Sequence, residues 1–474
     1  MGVSSAVPLG QMSSSQSSFD TPKTGRPTLP VPHPTRSFWI DSPGVNPLAS
    51  RGSDGPLTSD TDICIIGSGI TGVSAAYHLS RAVQAGELRK DVKIGVDASH
   101  PPQALVLQAS RNGGHLTSAV FLEFCDYAAK YGSEEAMRSF EMENRTQSEI
   151  VSLIRTQGWA EAVDLVEGGH TTVFFTPEEE RSANADYEAA KASGLALREI
   201  VWLTAEEMES TYGVSYPGVH FSGFNLWPLK LVTKLFLLAE EHLQLSIHTR
   251  TPALSIEESP SENRRWRIET PRGLVHCSHI IHATNAYASH LLPQLAGPDG
   301  IVPTRGQVAA IRASVDIPTL SKCSWDGNEG FEYWFPRPVT VPTEKPLVIL
   351  GGGREVSDDF EFYNADDSTV DSRVGLALRK FLPAAFPGKF EGEGEPEMEW
   401  TRIMGFTRLR DPFVGPLSQH EGQYISAGYS GHGMPRAYSC AAVIAAMTVA
   451  ELAGTEWHAP QWFPEAFLTT RRGL

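Results

Sequence analysis

The chain has 474 residues, and at roughly 100–200 residues per domain that is room for two to four structural units with a sizeable core, which excludes a peptide hormone or a lone binding module. Hydrophobic residues make 41% and charged residues 20% of it, the balance of a soluble globular chain rather than a disordered or fibrous one. A formal charge of −17, from 39 basic against 56 acidic residues, argues against nonspecific nucleic-acid or anionic-membrane binding.

Residues 1–60 are dense in Ser, Pro and Gly, and Pro27, Pro30, Pro32 and Pro34 force an extended course. The first residues lack the basic start and apolar run of a secretory signal, and Ala6 stands where a myristoylation motif requires Ser or Thr. Phe38-Trp39-Ile40 is an apolar cluster within this polar arm and is expected to anchor it on the body. Asp62-Ile63-Cys64-Ile65-Ile66 then has the pattern of a buried parallel strand.

That strand runs into Gly67-Ser68-Gly69-Ile70-Thr71-Gly72, which opens a helical run from Val73 to Leu79. In this context the glycines are a dinucleotide fingerprint. Gly67 makes the tight turn, Gly69 lets the backbone approach a pyrophosphate, Gly72 permits close helix–strand packing, and the helix N-terminus offers N–H groups to the phosphates. The fold also wants an acid at the end of its second strand, to meet ribose hydroxyls. Either Val92–Val96 is that strand, giving Asp97, or Ala104–Leu107 is, giving Gln108, which brings hydrogen bonds but no charge.

Further on, Ala136–Trp159 is expected to be helical, and Leu231, Leu235 and Leu238 mark one apolar helical face. Ile301-Val302, Val308–Ile311, Tyr333-Trp334-Phe335 and Leu347–Leu350 read as strands. The histidines, including His170, His242 and His248, show no metal-binding spacing. Late in the chain, Gly431-His432-Gly433-Met434-Pro435 precedes a small-residue helix from Ala437 to Ala450, whose positive end suits a ligand that gains negative charge. The apolar stretch Cys440–Ala450 falls short of the roughly 20 residues a membrane span needs. Five cysteines without a CxxC pair fit reduced thiols, and the cytoplasm is the expected location.

The chain resembles the FAD-dependent oxidoreductases of the D-amino-acid-oxidase superfamily, and within it the fungal branch similar to gamma-glutamylputrescine oxidases. The resemblance is carried by Phe38-Trp39, the fingerprint, Arg111-Asn112-Gly113-Gly114-His115-Leu116, Leu226-Trp227-Pro228, Ala283-Thr284-Asn285-Ala286 and Pro303-Thr304-Arg305-Gly306-Gln307. It continues through Arg337-Pro338, Gly351-Gly352-Gly353-Arg354, Gly405-Phe406-Thr407 and Gly428-Tyr429-Ser430-Gly431-His432-Gly433, in the family's order. It implies a Rossmann-like α/β FAD-binding domain with a parallel sheet, about 56–135, 225–295 and 395–474, and a mostly antiparallel α+β substrate domain, about 136–224 and 296–394, behind an extended arm 1–55.

The resemblance also implies an extended FAD, with residues 113–117 near the flavin ring, Thr284 and Asn285 closing over the dinucleotide, and Gly431, Gly433 and Met434 at the pyrimidine edge. Met404 stands where related sarcosine oxidases attach flavin through a cysteine, so noncovalent FAD is expected. Three departures stand out. A Ser-Gly-Ala-Thr-Gly run usual before Arg111 is absent, the strand-end acid is Gln108 if the later strand is the right one, and Leu409 replaces a usual Asp.

For amine oxidation the protein must orient a C–H bond and favour a neutral nitrogen. His115 and His432, inside glycine-rich motifs, are the titratable candidates beside the ring, each also readable as a positioning residue. Arg305 and Arg337 are candidates to clamp a carboxylate, each also readable as a structural ion pair. The expected activity is oxidation of an amine or amino acid to an imine, with oxygen or another acceptor regenerating FAD, a chemistry fungal relatives use in specialised metabolism. Flavin oxidation of an alcohol or hydroxy acid is the alternative, and a degenerate noncatalytic member a second. An NAD-dependent dehydrogenase leaves the late Gly-His-Gly segment unexplained.

Overall fold

The computed structural model describes residues 15–21, 27–42, 46–97, 112–260, 263–339, 341, 344–391 and 395–474. Two eight-stranded sheets dominate. The first has a core of five parallel strands, in spatial order Gln244–His248, Lys93–Asp97, Asp60–Ile66, Gly273–His282 and His420–Ala427. Phe413–Leu417 closes its far edge antiparallel. The inner strands are apolar on both faces, as a parallel sheet covered by helices requires.

Helices Ile70–Ala85 and Ala437–Ala453 lie against each other on this sheet, with Tyr438 in ring contact with His78 at 4.5 Å. The alanines of the late helix allow that approach, since they put little bulk between the backbones. No helix among the described residues is long and apolar enough to cross a membrane.

The second sheet runs in spatial order Met398–Phe406, Val302–Arg312, Leu347–Gly352, Glu332–Pro336, Ser324–Gly327, His170–Val173, Gly218–Phe221 and Val201–Leu203. It is antiparallel except where Ser324–Gly327 meets His170–Val173. One face packs on helix Ser372–Ala385 through Val374, Leu378, Phe381 and Leu382, and Trp325 and Trp334 join that core. The other face sends Val308, Ala310, Phe335, Ile349 and Trp400 into the large core shared with the first sheet and its helices.

The sequence signals for 301–302 and 308–311 turn out to mark one strand, Val302–Arg312, that runs through Pro303. Its ladder with Leu347–Gly352 starts only at Gln307. Before that point one edge is open, and there the Arg305 N–H donates to the Glu361 carbonyl at 3.1 Å instead. Pro303, two residues earlier, turns its missing N–H to that same open edge and disrupts no ladder bond.

Candidate active site

The fingerprint sits at the carboxyl edge of the parallel sheet, where ligands bind in open α/β folds. Gly67 has φ +113°, and a Cβ there would lie 2.5 Å from the Ala283 carbonyl oxygen. At Gly72 a Cβ would lie 1.9 Å from the Gly67 carbonyl oxygen, so helix and turn pack as closely as backbone allows. Gly69 is the contrast. A Cβ there meets nothing within 4 Å, and as N-cap residue Gly69 leaves the first helical turn, Ile70-Thr71-Gly72, without a side-chain cap. Unclaimed N–H groups facing open space are what a phosphate needs.

Lys93–Asp97 forms the second strand, and Asp97 ends it beside the fingerprint, with its carbonyl accepting from the Gly67 N–H at 2.9 Å. Burial pushes its carboxyl up to about 7, opposed by a hydrogen bond from Cys64, at 3.4 Å, and by Arg272. Gln108 and Arg111 lie outside the described residues.

The next two parallel strands bring the remaining dinucleotide motifs to the same edge. Thr284 follows Gly273–His282, and its buried hydroxyl has no hydrogen-bond partner among the described residues. Asn285, at φ 44°, accepts from the Gly428 N–H at 2.9 Å and so ties this turn to the late motif. The two helix starts are linked directly: Thr71 donates to the Tyr429 hydroxyl at 3.3 Å, and Tyr429 also contacts the Ser426 hydroxyl at 2.7 Å.

Gly431, at φ +88°, shapes the turn before the late helix, and Gly433 accepts from the Ala437 N–H at 2.8 Å. Met434 is buried below it. Met404 lines this corner, its sulfur 3.7 Å from where a Cβ on Gly431 would stand.

His432 places Nε2 3.0 Å from the Glu143 carboxylate, which Arg436 also meets at 2.6 Å. Burial would raise the Glu143 carboxyl, but His432, Arg436 and the Ala119 N–H together hold it at about 2. Arg436 continues to the Tyr127 hydroxyl at 2.8 Å and Asp411 at 3.3 Å, and Tyr127 and Tyr131 donate to Asp411 at 2.9 and 2.8 Å. Asp411 thus supplies a buried acid two residues from Leu409. Glu143, Asp411 and Arg436 carry no local motif and escape a reading of the sequence.

On the opposite side stands the antiparallel sheet. Asn112 accepts from the Gly114 N–H at 2.7 Å through Oδ1, and Gly114, at φ +81°, turns the chain into His115. Gly113 packs flat on the Tyr333 ring, where a Cβ would come within 2.1 Å. The His115 ring stands edge-on to Tyr333 at 5.3 Å and Phe335 at 5.2 Å, and neither of its nitrogens has a well-formed hydrogen bond among the described residues. Burial lowers its pKa to about 3, so the imidazole is neutral. Arg402 lies 5.6 Å from the Tyr333 ring centre on the same face.

The two other candidate arginines have partners elsewhere. Arg305 donates to Glu361 at 2.6 Å and to Thr369 at 3.2 Å, pinning the loop that follows Gly353. Arg337 pairs with Asp164 and stacks its guanidinium over Trp39 and Trp227, 5.1 and 4.9 Å from the ring centres.

A parallel sheet with its fingerprint turn, faced by an antiparallel sheet, defines a dinucleotide-binding oxidoreductase. Residues 62–447 match the DAO family, described as FAD dependent oxidoreductase, and the chain belongs to that family. It is 25% identical over 402 residues to the probable oxidoreductase OrdL of Rhizobium meliloti (strain 1021), covering 83% of this chain and 84% of that protein. Among solved structures it is similar to glycine oxidase from Geobacillus kaustophilus, at TM-score 0.63 and 18% identity over 87% of this chain and 99% of that one. L-amino acid deaminase from Proteus vulgaris matches at TM-score 0.62 and 16% identity, over 91% and 99%.

The protein is therefore an FAD-dependent oxidoreductase, and its residues fit the cofactor. The open Gly69 turn, the uncapped helix start, the orphan Thr284 hydroxyl and the strand-end Asp97 all gather at one edge. FAD is held noncovalently, with a thioether, Met404, at the Gly431 corner.

Proposed function

We propose that the enzyme oxidises a C–N bond of an amine or amino acid to an imine, which water then hydrolyses. When bound, FAD would supply the two-electron acceptor for the hydride on the carbon beside nitrogen, with oxygen or another acceptor regenerating it. Gly67, Gly69, Ile70, Thr71 and Gly72 would hold its pyrophosphate, Asp97 its ribose, and Thr284 and Asn285 would close over it. Asn112, Gly113 and Gly114 would border the ring, with Gly431, Gly433 and Met434 at its pyrimidine edge.

The observation that carries C–N over C–O is His115. Oxidising an alcohol requires a base for the hydroxyl proton, and an imidazole held at a pKa of about 3, with both nitrogens closed to solvent, is too weak for that. His432 is committed to Glu143. An alkylammonium, at roughly the pKa of lysine near 10, gives up its proton far more readily than a hydroxyl, near roughly 16 for water. The names of the solved relatives, a glycine oxidase and an L-amino acid deaminase, support the same chemistry. The motifs around Arg111–Leu116 and Gly428–Gly433 support a place in the gamma-glutamylputrescine-oxidase-like fungal branch, and the unpaired cysteines suit the cytoplasm.

The test is anaerobic titration of the FAD-loaded protein with n-butylamine, sarcosine, L-alanine and D-alanine, beside butan-1-ol and 2-hydroxybutyrate. Amines or amino acids are expected to bleach the flavin absorption. Bleaching by the hydroxyl compounds alone, or a protein that stays colourless with added FAD, overturns the proposal.

A further inference from the structure

The side of the antiparallel sheet that bears Tyr333 also carries a histidine–carboxylate pair, His170 and Asp326. Across adjacent strands, His170 is in register with Ser324, Thr172 with Asp326, and Asp326 with Tyr333. Directly paired residues project to the same face, so His170, Ser324, Asp326 and Tyr333 stand together on it. The His170 ring is 5.9 Å from that of His115. Its Nε2 lies 3.3 Å from Asp326 Oδ1, and its Nδ1 lies 2.9 Å from the Ser324 hydroxyl.

The Ser324 hydroxyl lies within hydrogen-bond reach of both the Gly169 carbonyl, at 3.2 Å, and His170 Nδ1, so it fixes the ring with Nε2 toward the Asp326 carboxylate. Burial opposes ionisation of Asp326, yet His170, with hydrogen bonding from His170 and Thr172, lowers its pKa. Asp326 Oδ1 is closed to solvent and has no well-formed hydrogen bond among the described residues, while the side chain as a whole is 27% exposed.

A second observation points to a ligand at the same place. Asn225 is fully buried in the short ladder opposite His115, and neither its side-chain oxygen nor its nitrogen has a hydrogen-bond partner among the described residues. Buried amides are nearly always satisfied, so one left open beside another unsatisfied side chain, His115, marks a place for something polar.

Resting on the amine-oxidation reading, we infer that Asp326, held by His170, is the seat for the substrate's cationic nitrogen, accepting its N–H on the carboxylate while Tyr333 and His115 wall the adjoining carbon. The substrate class this seat selects is an alkylamine that docks as its ammonium and releases one proton to solvent water before hydride leaves the carbon beside nitrogen. A neutral alcohol of the same shape lacks the charge that such a carboxylate recognises.

The probe is tert-butylamine, which has no hydrogen on the carbon beside nitrogen and so binds without being oxidised. Its dissociation constant is read on the FAD-loaded protein by calorimetry, alongside tert-butanol. Asp326→Asn is expected to weaken tert-butylamine at least tenfold and leave tert-butanol unchanged. His170→Gln, which keeps the carboxylate but removes its partner, is expected to weaken it at least threefold and decides alone if the first variant fails to fold. Unchanged binding in a folded, flavin-loaded Asp326→Asn overturns the seat. If n-butylamine bleaches the parent flavin while that variant still binds normally, the seat alone has failed. If only hydroxyl compounds bleach the parent, the amine reading has failed.

Discussion

Asp97 is where the proposed ribose contact and the stability of the fold meet in one carboxyl. Its carboxyl is pushed up to about 7 by burial, against 3.8 for an unburied group. Between those values the unfolded chain has released its proton and the folded protein retains it. The folded state therefore binds more protons, and the contribution of Asp97 to stability is present in full below the unfolded value and is lost as pH rises through about 7. FAD-free Asp97→Asn is expected to escape that loss and to melt above the FAD-free parent at pH 8, while matching it near pH 4. Ribose hydroxyls would favour the ionised carboxylate. Removing a hydrogen bond to a charged group costs about 1.5–3 kcal/mol, so the same variant should bind FAD roughly tenfold or more weakly. Equal melting at pH 8 would show that the carboxyl is solvated in the FAD-free protein, and equal FAD affinity would hand the ribose to another residue.

At the scale of the strand–turn–helix element, the two fingerprint glycines have separable duties. Gly72 is required for the fold, because a Cβ there would sit 1.9 Å from a backbone oxygen that cannot move without shifting the turn. Gly69 has ordinary dihedral angles and open space around it, so a methyl group there meets no protein atom. Gly69→Ala is expected to melt within about 1 kcal/mol of the parent in the absence of FAD, since Gly-to-Ala at a compatible position is close to neutral or mildly stabilising, but to lose most FAD binding. Gly72→Ala is expected to unfold the element or cost at least about 1–3 kcal/mol through overpacking. If Gly69→Ala retains normal FAD affinity, the pyrophosphate does not approach that backbone. The order of this element was legible in the sequence because its signals are local, an apolar run, a glycine turn and a helical period in direct succession, although the helix extends from Ile70 to Ala85, beyond the Val73–Leu79 run. The strand through Pro303 was legible only in halves, because whether a proline breaks a strand depends on which edge its neighbour leaves open, and that neighbour is more than 40 residues away.

Across the whole molecule the candidate cofactor edge is assembled from 67–72, 283–285 and 428–434, which the strand order brings side by side although the chain separates them widely. The first and last of these segments announce themselves by their glycines, whereas 283–285, Ala-Thr-Asn, has none. What anchors the helix after the last segment to the rest of the body does not announce itself. The Glu143–Arg436–Asp411 network joins three stretches with no shared period or spacing, and such buried pairs are visible only once the chain is folded. The N-terminal arm is a second such lock. Trp39 is fully buried, its Nε1–H donates to the Asn112 carbonyl at 2.7 Å, and its own carbonyl accepts from Trp227 Nε1–H at 3.0 Å. The segment around Trp39 thus holds the turn that delivers Gly113, Gly114 and His115 to the face of the antiparallel sheet. Trp39→Ala is expected to cost about 3–5 kcal/mol, the usual loss for a buried Trp. Trp39→Phe keeps most of the bulk but leaves the Asn112 carbonyl without its donor, at about 1–3 kcal/mol, and it should loosen the turn enough to change the visible circular dichroism of the bound flavin. That spectroscopic change separates the hydrogen bond from mere packing: a Trp39→Phe protein with lowered melting temperature but an unaltered flavin signal would mean that the arm stabilises the fold without positioning the turn beside the ring.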